Sequence, residues 1–180
     1  MRVNKTKLSG CLRIEYPFFQ DQRGDFKKTY SESKFEHLGL NFYCVEEFVT
    51  MSSKNVIRGM HFQIPPYDHE KIVYCLAGQV RDVVLDMRIG SKTYGAFEVF
   101  ELNGNCPTAI YIPKGFAHGF VALKDNSLML YRVSTEHNAE SDLGIHWSSF
   151  GCNWGVSKPI VSERDEAHEH FVNFESPFII

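Results

Sequence analysis

From Ile72 to Ser134 the chain repeats one unit, a short apolar run followed by a turn residue. The runs are Ile72–Leu76, Val80–Arg88, Tyr94–Leu102, Thr108–Ile112, Phe116–Leu123 and Leu128–Ser134, parted by Gly, Asn, Pro or Asp. The first two are rich in β-branched residues, which favour extended backbone, and Ala77-Gly78 between them suits a hairpin turn. Strands at such intervals predict an all-β sandwich or barrel. The 15 Phe and 8 Tyr supply bulk for its core.

Helical signals are few. Ser33-x-x-Glu36 reads as a capping box, with Gly39 placed to close a short helix. A second helix is expected near Glu163–Phe171. With no repeat, linker or low-complexity segment, residues 1–180 read as a single domain, long enough to bury a substantial core.

Charge and cysteine usage narrow the function class. The formal net charge of −3 lacks the dense basic face that nucleic acid requires, though a local Arg/Lys cluster could still hold a small anion. No run approaches the ~18 apolar residues of a membrane span, and Met1–Leu12 does not resemble a signal peptide. Five dispersed cysteines without a Cys-x-x-Cys pair suggest reduced thiols in a cytoplasmic protein.

Two segments carry chemistry. In Arg58-Gly-Met-His-Phe-Gln-Ile-Pro-Pro66, His61 is a possible general base, and Lys71, at the start of an apolar strand, could stabilise an enolate oxygen. A packed core histidine and a snorkelling strand-end lysine fit the same spacing. The second segment, Ile112-Pro-Lys-Gly-Phe-Ala-His118, resembles the second metal motif of the cupin superfamily. Metal-binding cupins supply His-x-His in the first motif, where this chain has His61-Phe62-Gln63. At most two of the usual three ligands can be placed, so a cupin barrel without a metal site is expected. Tyr131 and Asp165 complete a proton-transfer set: a carboxylate beside an imidazole fixes its tautomer, and a tyrosine opposite can deliver a proton to the other face. Each also fits a bland reading, strand packing for Tyr131 and surface polarity for Asp165.

Read in order, Arg23-Gly-x-Phe26, Arg58-Gly-Met-His61-Phe-Gln-x-Pro-Pro66, Lys71, Gly78-x-Val-x-Asp-Val83, Asp86-x-Arg88, Ile112-Pro-x-Gly-Phe-Ala-His-Gly-Phe120, Tyr131 and Ser162-x-x-Asp165 resemble the dTDP-4-dehydrorhamnose 3,5-epimerase family over residues 8–170. The resemblance implies a cupin jelly-roll barrel, a homodimer, no metal and no organic cofactor, with a substrate already oxidised at carbon 4. It implies a base dyad of His61 with Asp165, Lys71 at the enolate oxygen and Tyr131 as the opposing acid. The implied substrate-binding set is Arg23, Phe26, Lys28, Glu46, Arg58, Gln63, His118 and His137, with Arg23 near the nucleotide across the dimer interface. Inversion at carbon 3, carbon 5 or both of an NDP-4-keto-6-deoxy sugar, hexose or heptose, on a route to surface polysaccharide is expected. A 3,4-ketoisomerase and a non-catalytic sugar-binding cupin are the alternatives.

Departures fall on the nucleotide side. Lys28 stands where the family has Glu, Glu46 and Phe48 where it has Gln-x-Asn, and His137 where it has the second Tyr of a pair. An ionised Glu46 only accepts hydrogen bonds, which suits the paired donors of guanine better than thymine, and Lys28 could reach the guanine carbonyl. GDP is therefore expected over dTDP, unless Glu46 and Lys28 simply pair with each other at the surface.

Overall fold

The computed structural model describes residues 1–180. In chain order the strands are β1 (Arg2–Lys5), β2 (Leu12–Glu15), β3 (Phe18–Asp21), β4 (Gly24–Lys27), β5 (Glu46–Ser52), β6 (Ile57–Gln63) and β7 (Lys71–Ala77). They continue with β8 (Gln79–Asp86), β9 (Phe97–Asn103), β10 (Thr108–Ile112), β11 (Phe116–Ala122), β12 (Ser127–Val133) and β13 (Asp142–Gly144). Helix α1 (Glu32–His37) follows β4, and α2 (Glu163–Glu166) lies near the C-terminus. One antiparallel sheet runs β1-β2-β10-β7-β12-β5, a second runs β13-β6-β11-β8-β9, and β3-β4 forms a separate hairpin. The expected all-β, jelly-roll class holds, and no helix is long and apolar enough to cross a membrane.

Why the apolar runs lack clean alternation follows from the packing. Val73, Cys75, Val84, Ile110, Phe120 and Met129 join residues of both sheets in the central core. Their neighbours Ile72 and Tyr74 pack with Phe35 and Leu40, while Val83 and Leu85 pack with Trp154 and Phe178. Each sheet is thus covered on its outer face too, the first by the α1 region and the second by the C-terminal segment. Strands buried on both faces read as continuous apolar runs. The Asp86-x-Arg88 motif pins one edge: buried Asp86 accepts from the Arg88 guanidinium, Ser91 Oγ and Thr93 Oγ1 at 2.6–2.8 Å.

Several boundaries differ from expectation. Tyr94 lies in a turn and β9 begins at Phe97, because Gly95 takes a left-handed φ of 74° there. Helix α1 starts two residues earlier than the capping box at Ser33 implies; Ser31 is the N-cap, and its side chain makes no cap bond. Gly39 does close the helix, its N–H reaching the Glu36 carbonyl with φ at 75°. The second helix spans four residues rather than reaching Phe171. β1, β3, β4 and β5 carry exposed residues on one or both faces and gave no apolar run to read.

Candidate active site

The site begins with a defect in β6. On a regular strand Arg58 and His61, three residues apart, would face opposite sides. In the ladder with β11, His61 opposes His118 and Arg58 already opposes Phe120, so β6 takes three steps where β11 takes two. That bulge turns Arg58, His61 and Gln63 into one cavity. It also needs glycine at position 59. Gly59 has a φ of 131°, and a Cβ there would sit 2.5 Å from the Gly119 Cα. Its N–H donates to Asp165 Oδ2 at 3.0 Å.

The cavity, of about 240 Å3, lies between β5, β7 and β12 on one side and β6 and β11 on the other. Glu46, Phe48 and Thr50 of β5 reach it from alternate positions, joined by Lys71, Tyr131 and His118. Asp165 stands behind His61, its Oδ1 2.8 Å from His61 Nε2. Ser162 Oγ accepts the Asp165 backbone N–H at 3.1 Å, so the Ser162-x-x-Asp165 motif caps α2 and fixes the carboxylate at once. Burial would raise the Asp165 pKa, but the His168 and His61 imidazoles and the Gly59 N–H outweigh it and hold the group well below the carboxylate range. With Asp165 ionised, His61 donates from Nε2, and Nδ1 is the basic nitrogen. Burial lowers the His61 pKa against the opposing pull of Asp165, so the imidazole is neutral at pH 7.

Lys71 opposes Val133 across the β7–β12 ladder and is 9% exposed. Its Nζ donates to the His61 carbonyl at 3.2 Å, and no carboxylate pairs with it. Burial pushes the ammonium down to about 8, with Asp142 and Asp82 acting weakly against it. A buried cation without a counter-charge is costly to the fold, and here it faces a cavity able to receive an anionic oxygen. Tyr131 is sandwiched, stacked on Phe48 at 4.7 Å between centroids and edge-on to His118 at 6.0 Å. Burial, with Asp82 adding to it, raises its pKa, which keeps the phenol protonated. His118 in turn is tied to Asp82 through Nε2 at 2.7 Å, both side chains buried.

The remaining expected residues divide. Glu46 and His137 both line the cavity and meet through the Glu46 carboxylate, which accepts the His137 backbone N–H at 2.8 Å. Glu46 therefore does not pair with Lys28, which is exposed elsewhere. Gln63 lines the cavity but its amide is already engaged. Its amide N–H groups go to the Tyr67 and Glu136 carbonyls and its oxygen accepts the Asn138 N–H, so it anchors the loops around the cavity mouth. Arg23 and Phe26 sit on the β3–β4 hairpin, outside the cavity of this chain. Arg23 is locked to Asp21, and Phe26 packs on exposed Phe19. The sequence reading missed His69, Thr50 and His168. His69 stands two residues before Lys71 and lines the same cavity, a spacing that was readable. Burial, aided by Lys71, pushes its imidazole down to about 3, so it stays neutral.

A family model described as dTDP-4-dehydrorhamnose 3,5-epimerase matches residues 5–173. The enzyme of that name from Escherichia coli K12 is 38% identical over 92% of each chain. Among solved structures, the dTDP-4-dehydrorhamnose 3,5-epimerase of Elizabethkingia anophelis is 36% identical, covering 96% of this chain and 97% of its own, with a TM-score of 0.89. A dTDP-6-deoxy-D-glucose-3,5-epimerase from Legionella pneumophila, solved with dTDP-4-keto-L-rhamnose, has a TM-score of 0.91 at 30% identity over 97% of this chain and 94% of its own.

Proposed function

The chain belongs to the dTDP-4-dehydrorhamnose 3,5-epimerase family, and from that premise we propose that it inverts carbon 3, carbon 5 or both of a nucleotide-linked 4-keto-6-deoxy sugar. The observation that carries this reading is Lys71: an unpaired, buried ammonium in the same cavity as an imidazole whose second nitrogen is held by a carboxylate. A proton beside a ketone is far too weakly acidic for imidazole alone. An ammonium fixed where charge develops on the carbon-4 oxygen lowers that barrier, because it acts in a water-poor cavity and needs no reorganisation. His61 Nδ1 takes the proton, Asp165 supports the imidazolium, and Tyr131 protonates the enolate carbon from the opposite face. Arg58 and His118 contact the substrate or its diphosphate. A 3,4-ketoisomerase would share the enolate but place the ketone at carbon 3, which product NMR separates.

The roles fix a pH dependence. His61 must be neutral, so activity falls as pH drops through its lowered pKa, below 6.5. Lys71 must be charged, so activity falls again as pH rises through about 8. The expected kcat/KM profile is a bell with its alkaline limb near that value. A profile still flat well above it would remove Lys71 from the enolate oxygen.

For the nucleotide, the relatives' names point to dTDP. A second reading, guanine, is favoured by the carboxylate of Glu46, whose Oε1 is left free when Oε2 accepts from His137. On that reading GDP binds more tightly than dTDP in a calorimetric titration; the reverse order assigns the thymine nucleotide. The proposal includes a homodimer. Phe19 is 63%, Phe26 59% and Met51 64% exposed in the single chain, which supports a partner surface there, with the hairpin bearing Arg23 and Phe26, and Lys28 just after it, serving a second copy's cavity.

A further inference from the structure

We propose that His61, Asp165 and His168 form a binding site for a divalent transition-metal ion of the zinc class, and that the bound ion switches the base off. One nitrogen of each imidazole and one Asp165 oxygen lie within 4.8 Å of one another. Asp165 Oδ1 is the common vertex, 2.8 Å from His61 Nε2 and 3.6 Å from His168 Nε2. The longer separation exceeds a hydrogen bond, so His168 Nε2 is buried with no hydrogen-bond partner and meets Asp165 only as a charged neighbour. It is close to the ~3.4 Å edge of a tetrahedron built on metal–ligand distances of ~2.1 Å. An ion would need the His61–Asp165 contact to widen by about half an ångström and the two imidazole nitrogens, within 4.8 Å of each other, to settle at the same edge length.

The surroundings make room for the third ligand. Gly144 of β13 stands opposite His61 of β6, and a Cβ at Gly144 would lie 2.3 Å from His168 Nε2. The missing side chain is what lets the second imidazole stand edge-on to the first, with ring centroids 5.7 Å apart. The outer oxygen of Asp165 is oriented by the Gly59 N–H, much as hydrogen-bond donors behind a metal-binding carboxylate fix its direction. A separate opening of about 350 Å3, lined by Val56, Ile160, Ser162 and Arg164, reaches His61 and Asp165 and offers an entry path and space for a water ligand. The Arg164 charge is answered there by Asp142 at 2.8 Å. Two imidazoles and a carboxylate suit zinc, copper or nickel rather than magnesium or calcium.

The consequence follows from tautomer chemistry. Binding at His61 Nε2 moves its hydrogen to Nδ1, with no net proton change. The one remaining lone pair of the ring is then on the metal, and no nitrogen can accept a proton from carbon. This inhibition rests on His61 being the base; ion binding does not.

The test uses the full chain stripped with EDTA and dialysed against Zn2+ or Co2+ in a non-chelating buffer. The expected result is one ion per chain and visible Co2+ absorption typical of low coordination. His168→Ala and His168→Gln should each weaken binding at least about tenfold, and turnover of the unaltered protein should be lost with Zn2+ and restored by EDTA. The glutamine variant keeps a polar side chain against Gly144 should alanine disturb the packing. No binding, equal affinity in both variants, or stoichiometric binding without inhibition of an active enzyme would overturn the proposal. A protein that binds Zn2+ through His168 yet never turns over, even in EDTA, supports the ion site and fails the base assignment instead.

Discussion

Replacing His61 by asparagine is expected to lower turnover by at least about 10³-fold while leaving the fold intact. Removal of a carbon-bound proton needs a base at Nδ1, and the other imidazoles of the cavity are not equipped to stand in. His69 is held neutral but has no carboxylate behind it, and His118 spends Nε2 on Asp82. Asparagine is the informative change because it keeps a polar side chain of similar bulk in the cavity, whereas alanine leaves a void against Asp165, whose side chain is 5% exposed. Alanine at the same place mixes the chemical loss with that destabilisation. Turnover and thermal melting measured together separate the two. Activity within tenfold of the parent at unchanged melting temperature would remove His61 as the base.

Lys71→Met is expected to pull activity and stability in opposite directions. The ammonium sits buried without a carboxylate, at the expense of the fold, and burial pushes it down to about 8. Methionine has similar length and no charge to desolvate, so the melting temperature should stay the same or rise. Turnover should fall by about 10²–10³-fold, the usual effect of removing one donor to a developing oxyanion. A merely structural lysine predicts the reverse pattern, lower stability with kcat little changed. Both quantities come from one purified variant.

How far the sequence carries this account differs between fold and site. β7, β8, β10, β11 and β12 were legible because both of their faces are largely buried, which writes them as apolar runs. β3 and β4 were not, since all but one of their residues are exposed in the single chain, with Phe19 and Phe26 packed on each other and Phe18 under the Lys27 ammonium. The helix start moved because Ser31 ends the extended segment through its backbone without using its hydroxyl, a choice that composition does not encode. In the site, His61, Lys71, Tyr131, Arg58, His118, Glu46 and His137 do converge on one cavity, with Asp165 behind it. Gln63 shares their motif and their face but spends its amide on backbone, and only coordinates reveal that. The bulge at Gly59 explains why periodicity alone could not place Arg58 and His61 together. His168 stands three residues after Asp165, a readable spacing; what the sequence does not show is that Gly144, on a strand three residues long, leaves room for its ring.

The most direct test of the central claim is position-resolved deuterium incorporation. The protein is incubated in D2O with a dTDP- or GDP-linked 4-keto-6-deoxy sugar, and the product is read by NMR. Deuterium at carbon 3, carbon 5 or both, together with inverted configuration at a labelled carbon and the ketone still at carbon 4, is the predicted result. No label at either carbon with any such substrate, or label accompanied by a ketone at carbon 3, would contradict it.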